Sequence, residues 1–385
     1  MSRRVRLHRS DCSGPGYGRV RSGKGFSYRD RHGATVRDAA VRARIEALAI
    51  PPAWTDVWIC ESDRGHLQAV GTDDAGRRQY LYHPQWREDR DREKHDRILD
   101  VARRLPAARA AVAEDLARAD MSREHVLAVC FRLLDLGLFR VGGESYAADN
   151  GSYGLATLRR DHVRIDADSL EFSYVAKHGR ERRLVLQDAA CADALATLKR
   201  RRDGEAELFA WREDGPPVVW RDITSADINA YVRERLATEA TAKDFRTWHG
   251  TVVAARGLGA LAPAADLSPT ARKRAVAGVM RDVAEALGNT PAVARASYVD
   301  PRVVDLWEDG VSLAPVVDAL GVEGLGVTGG EAVPGERPEH AQDALEAAVL
   351  DLLTRSPEAA KRRIRAAARE VSSGPVGRAR DRSRA

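Results

Sequence analysis

The chain contains little cysteine and very little lysine. Its four cysteines are spread over 385 residues, with no short spacing between any two of them. This disfavours a zinc site on paired cysteines, a CxxC redox motif and a secreted disulfide framework. Only seven of the 62 basic residues are lysines, and the Ala- and Arg-rich composition is typical of a high-GC bacterial genome. A single arginine therefore says little about phosphate binding here, whereas a lysine in a structured segment is informative.

Long apolar runs are also missing. No stretch approaches the ~20 apolar residues that cross a bilayer, and no apolar signal segment follows the basic opening MSRRVRL. We therefore expect a cytoplasmic protein with no membrane partner. Hydrophobic residues make up 44% of the chain and charged residues 31%, which is the balance of a folded globular protein. The net charge of +5 permits a polyanionic partner without requiring one.

Several common catalytic motifs do not occur. The sequence has no HExxH, no paired-aspartate metal cluster and no GxSxG elbow. Residues 18–24 fit the start of a P-loop, but Gly25 stands where that loop needs Ser or Thr. The following FSYRD alternates like a strand, whereas a P-loop opens a helix. We therefore predict no metal, no cofactor and no nucleotide.

Hydrophobic patterning predicts four parts and an α+β fold. Residues 1–88 alternate short strands with Gly-containing turns, including a predicted hairpin over 66–83. Residues 89–321 form the next part: helical periodicity comes first, short strands are predicted over 162–187, and helices dominate from Ile223 to about Trp307. Residues 322–340 are rich in Gly, Pro and Glu and are typical of a linker. Residues 341–385 should form one charged helix followed by a basic, disordered tail. The expected architecture is a small β-rich domain followed by a larger, mainly α domain.

Four residues of the larger domain lie in informative positions. Arg140 ends an apolar helix at a Gly-rich turn, and Lys177 lies at a predicted hairpin tip between two strands. Arg246 lies near the start of a helix whose pattern predicts one buried face. Tyr298 lies on a short helix that Pro301 should terminate. The buried face of the Arg246 helix consists of Phe245, Trp248, Val252 and Ala255.

Each of these residues has an ordinary structural explanation when taken alone. An arginine at a helix C-terminus usually interacts with the helix dipole. A lysine at a hairpin tip is usually solvated, and a tyrosine on a short helix is more often packing than a nucleophile. Their order and local sequence contexts together change this interpretation.

Together these segments resemble the type IB DNA topoisomerases of poxviruses and bacteria, from about Arg19 to Trp307. GLFRVGGESYAADNGSYGLATL is similar to the family's first-arginine segment, KDFRT to its second-arginine box, and GNTPAVARASY to its nucleophile segment. GFSYRD, IPPAW and GRRQYLYH are similar to parts of the N-terminal domain. The resemblance implies that residues 1–88 are a DNA-binding domain and residues 89–321 the catalytic domain. The two would form a C-shaped clamp around duplex DNA.

The same resemblance implies a catalytic set. Tyr298 would attack one strand to give a 3′-phosphotyrosine, and Arg140 and Arg246 would hold the non-bridging oxygens. Lys177 would donate a proton to the departing 5′-oxygen. The bond energy would stay in the covalent ester, so no ATP would be required. The positive charge of the arginines and the lysine would make a metal ion redundant. The expected activity is relaxation of supercoiled duplex DNA by a monomer acting on the bacterial nucleoid.

Asn289 departs from the commoner pattern of the family. Many members carry histidine at this position. An asparagine can donate a hydrogen bond to a non-bridging oxygen, but it does not titrate and so cannot donate a proton. We therefore expect Asn289 to stabilise charge, with Lys177 acting as the acid.

Six further residues are implied as DNA contacts. They fall into two groups, one on the N-terminal hairpin and one flanking the catalytic pocket. The first group is Gln79, Tyr80 and Tyr82, and the second is Tyr146, Lys243 and Asp244. Aromatic packing on a small sheet remains the alternative for Tyr80 and Tyr82.

Two other functions remain open at this point. Tyrosine recombinases share the catalytic fold and the order arginine, lysine, arginine, tyrosine. They usually carry histidine three residues before the second arginine, where this chain has Lys243. The second alternative is a non-catalytic DNA-binding protein that kept the fold, which the complete set of catalytic residue types disfavours.

Overall fold

A computed structural model describes residues 5–118, 120–144, 147, 150–202, 206–213, 215–321 and 339–373, with the side chains of residues 339 and 340 excepted. The chain divides into two compact units, Met1–Asp96 and Arg97–Ala385. The 33-residue helix α2 (Pro84–Leu116) begins before this division and ends after it.

The first unit contains a five-stranded antiparallel sheet and the short helix α1 (Ala39–Ala47). The side chains of Ile45 and Ile59 are buried in its small core. The predicted hairpin over 66–83 is confirmed, because its two strands pair from Leu67↔Tyr82 to Thr72↔Arg78. The sheet has the order β2-β1-β3-β4-β5, with β1 (Tyr17–Ser22), β2 (Gly25–Arg29), β3 (Thr55–Ile59), β4 (Leu67–Thr72) and β5 (Arg78–Tyr82).

The second unit is mainly helical and carries two small sheets. Helix α3 (Arg123–Gly137) begins at Ser122, whose side chain accepts a hydrogen bond from the His125 amide. The strands are β6 (Val163–Asp166), β7 (Ser169–Ala176) and β8 (Arg180–Gln187), in that order in one sheet, and β9 (Ala210–Glu213) and β10 (Val219–Asp222) in the other. Further α-helices among the described residues up to 321 are α4 (Ala189–Arg200), α5 (Ser225–Leu236), α6 (Ala242–Gly259), α7 (Pro269–Leu287), α8 (Pro291–Ser297), α9 (Arg302–Glu308) and α10 (Ala314–Leu320). A β-sheet region followed by a larger helical region confirms the predicted α+β class.

Helix α6 is central to the second unit. It packs against α3, α5, α7, α9 and α10. The stripe containing Phe245 and Trp248 is buried as predicted, but the opposite side of the helix is buried too. Asp244, Arg246 and His249 are each at most 6% exposed. The prediction of a single buried face was therefore wrong, because the polar side chains of α6 have partners inside the protein.

The C-terminal segment forms two helices where one was predicted. Helix α11 (Glu339–Thr354) buries Leu345, Val349 and Leu352 and packs against α6, while α12 (Pro357–Ser373) packs against α10 and α11. Pro357 separates the helices because its ring fits a first helical turn but not a helix interior. The predicted linker up to residue 338 and the basic tail from residue 374 lie outside the described residues. No helix within the described ranges is both long and apolar enough to cross a membrane.

Candidate active site

Tyr298 is held at the end of the short helix α8. The Thr290 side chain accepts a hydrogen bond from the Val293 amide and starts this helix, which ends before Tyr298. The Thr251 hydroxyl on α6 donates its proton to two carbonyls, that of Thr247 at 2.9 Å and, more weakly, that of Tyr298 at 3.4 Å. The same hydroxyl oxygen accepts from the Asp300 amide at 3.1 Å. The backbone on both sides of the half-buried phenol is therefore anchored to α6.

Gly250 allows this close approach. A Cβ atom at position 250 would lie 2.8 Å from the Tyr298 carbonyl oxygen and 3.4 Å from its Cβ atom. The first distance is shorter than a van der Waals contact, so a side chain here would displace the tyrosine backbone.

We predict that Gly250→Ala slows single-turnover DNA cleavage by about ten-fold or more, because small displacements of reacting groups have large effects on rate. The control is Gly278→Ala on α7, where a Cβ atom would be 3.7 Å from Arg281 Nη2. That variant should cleave normally and gain up to about 1 kcal/mol of helix stability. Equal cleavage by both variants would contradict the prediction.

Arg246 joins Tyr298 to two helix ends. Its guanidinium carbon lies 5.1 Å from the centre of the Tyr298 ring. Nη1 donates a hydrogen bond to the Leu138 carbonyl, and Nη2 donates to the Leu287 carbonyl at 2.7 Å. The residue is only 2% exposed. Its charge is therefore fixed next to the phenol in a largely dry environment, where electrostatic effects are strong.

Arg140 and Asn289 contact each other beside this pair. Nη2 of Arg140 donates to Asn289 Oδ1. The same nitrogen donates to the Gly288 carbonyl at 3.2 Å. Gly288 ends α7 in the left-handed conformation, with φ of 60°. Asn289 Nδ2 is buried and has no hydrogen-bond partner within the described part of the chain. The asparagine thus orients Arg140 with its oxygen, while its amide nitrogen is not used by the described protein groups.

We predict that Asn289→His retains most of the DNA relaxation activity, because an imidazole offers both an acceptor and a donor. Asn289→Ala removes both groups and should slow cleavage by about 10²-fold, the typical effect of losing one oxyanion donor. Plasmid relaxation and single-turnover cleavage measure these effects. A near-complete loss in Asn289→His would show that this position is wrongly assigned.

Lys177 lies at the tip of the β7–β8 hairpin, as predicted. Residues Lys177–Gly179 form the tight turn between the strands, and His178 adopts a left-handed φ of 68°. The Lys177 side chain is exposed. The second strand of the hairpin, β8, contacts Asn289 through Arg180.

Two arginines of β8, Arg180 and Arg182, were missed from the sequence. With Arg140 and Arg246 they form a group of neighbouring positive charges, called the arginine cluster here. Arg180 Nη1 donates to the Asn289 carbonyl at 3.2 Å. Arg182 Nη2 donates to the carbonyls of Gly137 at 3.3 Å and Ala286 at 3.0 Å. The sequence did contain a signal for them. Arg180 and Arg182 closely follow Lys177 and are two residues apart, so on a strand they share one face.

Tyr174 is a further missed residue. It lies opposite Arg182 in the β7–β8 register and is 6% exposed. Burial raises the pKa of its phenol, although the charges of Arg182, Arg246 and Arg140 act in the other direction. Tyr174 therefore remains protonated and lines the arginine cluster as a neutral group.

The electrostatics of Tyr298 differ from those of Tyr174. Burial by itself would raise the pKa of the Tyr298 phenol. The charge and hydrogen bond of Arg246, followed by the charges of Arg140 and Lys243, outweigh burial and lower this pKa below its ordinary value of 10.0. The phenolate, which is the nucleophilic form, is thus easier to form at Tyr298 than in water.

The residues expected to contact DNA occupy different environments. The rings of Tyr80 and Tyr82 lie 6.3 Å apart and are stacked, and Tyr80 is 48% exposed. Gln79 donates from Nε2 to Asp73 at 2.8 Å. Tyr146 lies outside the described residues.

Lys243 and Asp244 are neighbours at the start of α6 but differ in burial. Lys243 is exposed. The Asp244 carboxylate is 2% exposed and accepts hydrogen bonds from the Thr241 amide and from Arg97, both at 2.8 Å. Asp244 therefore binds the N-cap amide of α6, as in a capping box, and holds Arg97 at the helix start.

Comparison with known protein families gives two matches. The family described as eukaryotic DNA topoisomerase I, catalytic core, matches residues 83–306. The family described as bacterial DNA topoisomerase IB, N-terminal domain, matches residues 25–73.

Individual viral proteins are similar as well. DNA topoisomerase 1B of Acanthamoeba polyphaga mimivirus is 30% identical over 270 residues, covering 69% of this chain and 80% of the viral protein. DNA topoisomerase 1B of vaccinia virus (strain Copenhagen) is 23% identical over 270 residues, covering 69% and 81%. The chain belongs to the type IB DNA topoisomerases, an isomerase family that acts on double-stranded DNA.

Proposed function

We propose that this protein relaxes supercoiled duplex DNA by cutting and resealing one strand through a 3′-phosphotyrosine at Tyr298. The observation that carries this proposal is the buried guanidinium of Arg246 against the Tyr298 ring. Arg140 and Asn289 contact each other in the same cluster. A nucleophile with a lowered pKa and two fixed guanidinium groups are the parts that phosphoryl transfer needs.

Each residue has a definite role in the proposed reaction. The Tyr298 phenol loses its proton to solvent, and the phenolate oxygen forms a bond to phosphorus while the bond from phosphorus to the 5′-oxygen breaks. Arg246 and Arg140 stabilise the charge on the non-bridging oxygens, and Asn289 Nδ2 donates a hydrogen bond to one of them. Lys177 gives its proton to the departing 5′-oxygen. Resealing is the reverse, with the phenolate as leaving group.

Two features of the proposed reaction make ATP and a metal ion unnecessary. One phosphodiester is exchanged for another, so the energy of the broken bond is retained for resealing. The arginines supply the positive charge that a metal ion supplies in other phosphoryl-transfer sites. We further propose that the protein acts as a cytoplasmic monomer on the bacterial nucleoid. Residues 1–88 and 89–321 would act as two domains that enclose the duplex, with Gln79, Tyr80 and Tyr82 contacting it.

The test is relaxation of supercoiled plasmid by the purified protein in EDTA without nucleotide. We expect relaxation of both positive and negative supercoils. Denaturant added during the reaction should trap protein on the 3′ end of the nick. Absence of relaxation would overturn the proposal. Strand exchange between two specific duplexes without relaxation would identify a tyrosine recombinase instead.

The pH dependence of cleavage follows from the lowered pKa of Tyr298. The cleavage rate at saturating DNA should rise with pH, with an inflection below pH 10, and level off above that inflection. Lys243→Gln removes one of the charges that lower this pKa, so its inflection should move to higher pH. Lys273→Gln, an exposed lysine on α7, is the control and should leave the inflection in place. An unshifted profile in Lys243→Gln would contradict the assignment of the inflection to Tyr298.

A further inference from the structure

A buried network of charged residues lies in the second unit, separate from the arginine cluster. It consists of Arg109 on α2, Asp135 on α3, His249 on α6 and Glu346 on α11, and is called the rear network here. Asp135, His249 and Glu346 have side chains at most 7% exposed. None of the four touches Tyr298 in the contacts described above.

The guanidinium of Arg109 is shared between the two buried carboxylates of the network. Nε and Nη2 donate to Asp135 at 2.8 and 3.0 Å, while Nη1 and Nη2 donate to Glu346 at 2.9 Å each. His249 Nε2 lies 3.0 Å from Asp135 Oδ1, and its Nδ1 lies 3.8 Å from Glu346 Oε1. Each carboxylate therefore contacts both Arg109 and His249.

These contacts keep the buried carboxylate of Asp135 ionised. Burial alone would raise the pKa of Asp135. Hydrogen bonds from His249 and Arg109, together with the charges of both residues, hold this pKa well below its usual range. Removing one member of such a network leaves the others with uncompensated buried charge, so the arrangement is strongly fixed.

The rear network is attached to the segments that carry the arginine cluster. Asp135 precedes Leu138 by three residues, and the Leu138 carbonyl accepts a hydrogen bond from Arg246. His249 follows Arg246 by three residues on α6, which is about one helical turn. A shift of α3 relative to α6 would therefore disturb both the rear network and the position of Arg246.

Glu346 comes from a part of the chain beyond the catalytic-core family match at residues 83–306. Its helix α11 is held by buried Leu345, Val349 and Leu352 and packs against α6. Gln342 on the same helix donates to Glu346 Oε1 at 2.6 Å. The carboxylate is thus oriented by its own helix before it meets Arg109.

We propose that Glu346 is a positioning residue for DNA cleavage, acting through Arg109 and His249 to fix the ends of α3 and α6 that hold Arg246. The C-terminal segment is then part of the catalytic unit and not an accessory. This inference rests on the proposed function, because it assumes that Arg246 acts on the scissile phosphate.

The test compares two single variants of the full chain. Glu346→Gln keeps the shape of the side chain and removes the buried charge. Asp343→Asn is the matched control, since Asp343 lies on the same helix and also contacts Arg109, at 3.1 Å, but its side chain is 58% exposed. Circular dichroism first establishes that every variant is folded. We then measure the cleavage rate at saturating DNA, the Kd for an uncleavable duplex and the melting temperature.

We expect Glu346→Gln to lower the cleavage rate by about ten-fold or more, with an unchanged Kd. Asp343→Asn should cleave at the wild-type rate. Glu346→Asp, which restores the charge on a shorter side chain, should recover part of the lost rate. Recovery by the charged variant separates positioning from a purely structural effect.

Three results would overturn the inference. The first is an equal cleavage rate for Glu346→Gln and Asp343→Asn. The second is a lower melting temperature for Glu346→Gln with a normal cleavage rate. The third is weaker DNA binding by Glu346→Gln, seen as a higher Kd, with no change in its cleavage rate. Each of them requires an active wild-type protein. Failure of the proposed function is distinct, because the wild-type protein would then not cleave DNA at all.

Discussion

Tyr298→Phe is expected to abolish cleavage and relaxation while the protein still folds and binds DNA. The substitution removes only the phenolic oxygen, which is the proposed nucleophile. The remaining ring can still lie against Arg246, whose guanidinium carbon is 5.1 Å from the ring centre. Loss of a nucleophile typically lowers the rate by at least about 10⁴-fold. No covalent protein–DNA adduct should form.

Plasmid relaxation, denaturant trapping and Kd for duplex DNA measure this prediction. Tyr17→Phe is the control, because Tyr17 is a half-buried tyrosine of β1 to which no catalytic role is assigned. It should relax DNA normally. Relaxation by Tyr298→Phe protein free of contaminating topoisomerase would place the nucleophile elsewhere in the chain.

Arg246→Lys should produce the second large loss, although it preserves the positive charge. The arginine donates from separate nitrogens to the Leu138 and Leu287 carbonyls. A lysine carries a single ammonium group and cannot reproduce the planar fork. We expect the cleavage rate to fall by about 10²- to 10³-fold, the range seen when one transition-state donor is lost. A buried carbonyl left without a donor should also cost about 1–3 kcal/mol of stability.

Single-turnover cleavage and denaturant unfolding separate the two effects of Arg246→Lys. The control is Arg274→Lys on α7, where the arginine is exposed, and it should change neither quantity. A variant that loses stability but cleaves at the wild-type rate would show that Arg246 is structural. A normal rate and normal stability together would remove Arg246 from the site altogether.

Local patterns were sufficient for some parts of the fold. Alternation and turn residues identified the hairpin of β4 and β5, because strand pairing there is local in sequence. The hairpin tip at Lys177 was found for the same reason. Lysine is rare in this chain, so one lysine at a tip was noticeable.

Other features depend on contacts between distant residues. The side chain of Arg246 is buried because its partners Leu138 and Leu287 lie far away in sequence, and periodicity shows only the apolar face of a helix. Arg182 was missed because arginine is common here, and its role appears only when β8 lies beside the ends of α3 and α7. Glu346 was missed because a single glutamate in a charged helix is usually solvated.

The ends of α3 and α7 explain how three guanidinium groups of the arginine cluster can lie close together. Arg140, Arg182 and Arg246 together donate to five carbonyls, those of Gly137, Leu138, Ala286, Leu287 and Gly288. All five lie where a helix leaves its last carbonyls without internal partners and carries partial negative charge. Two helix termini thus offset the mutual repulsion of three guanidinium groups. The arginines are therefore already positioned by contacts within the protein. Little of the free energy of phosphate binding is needed to bring them together.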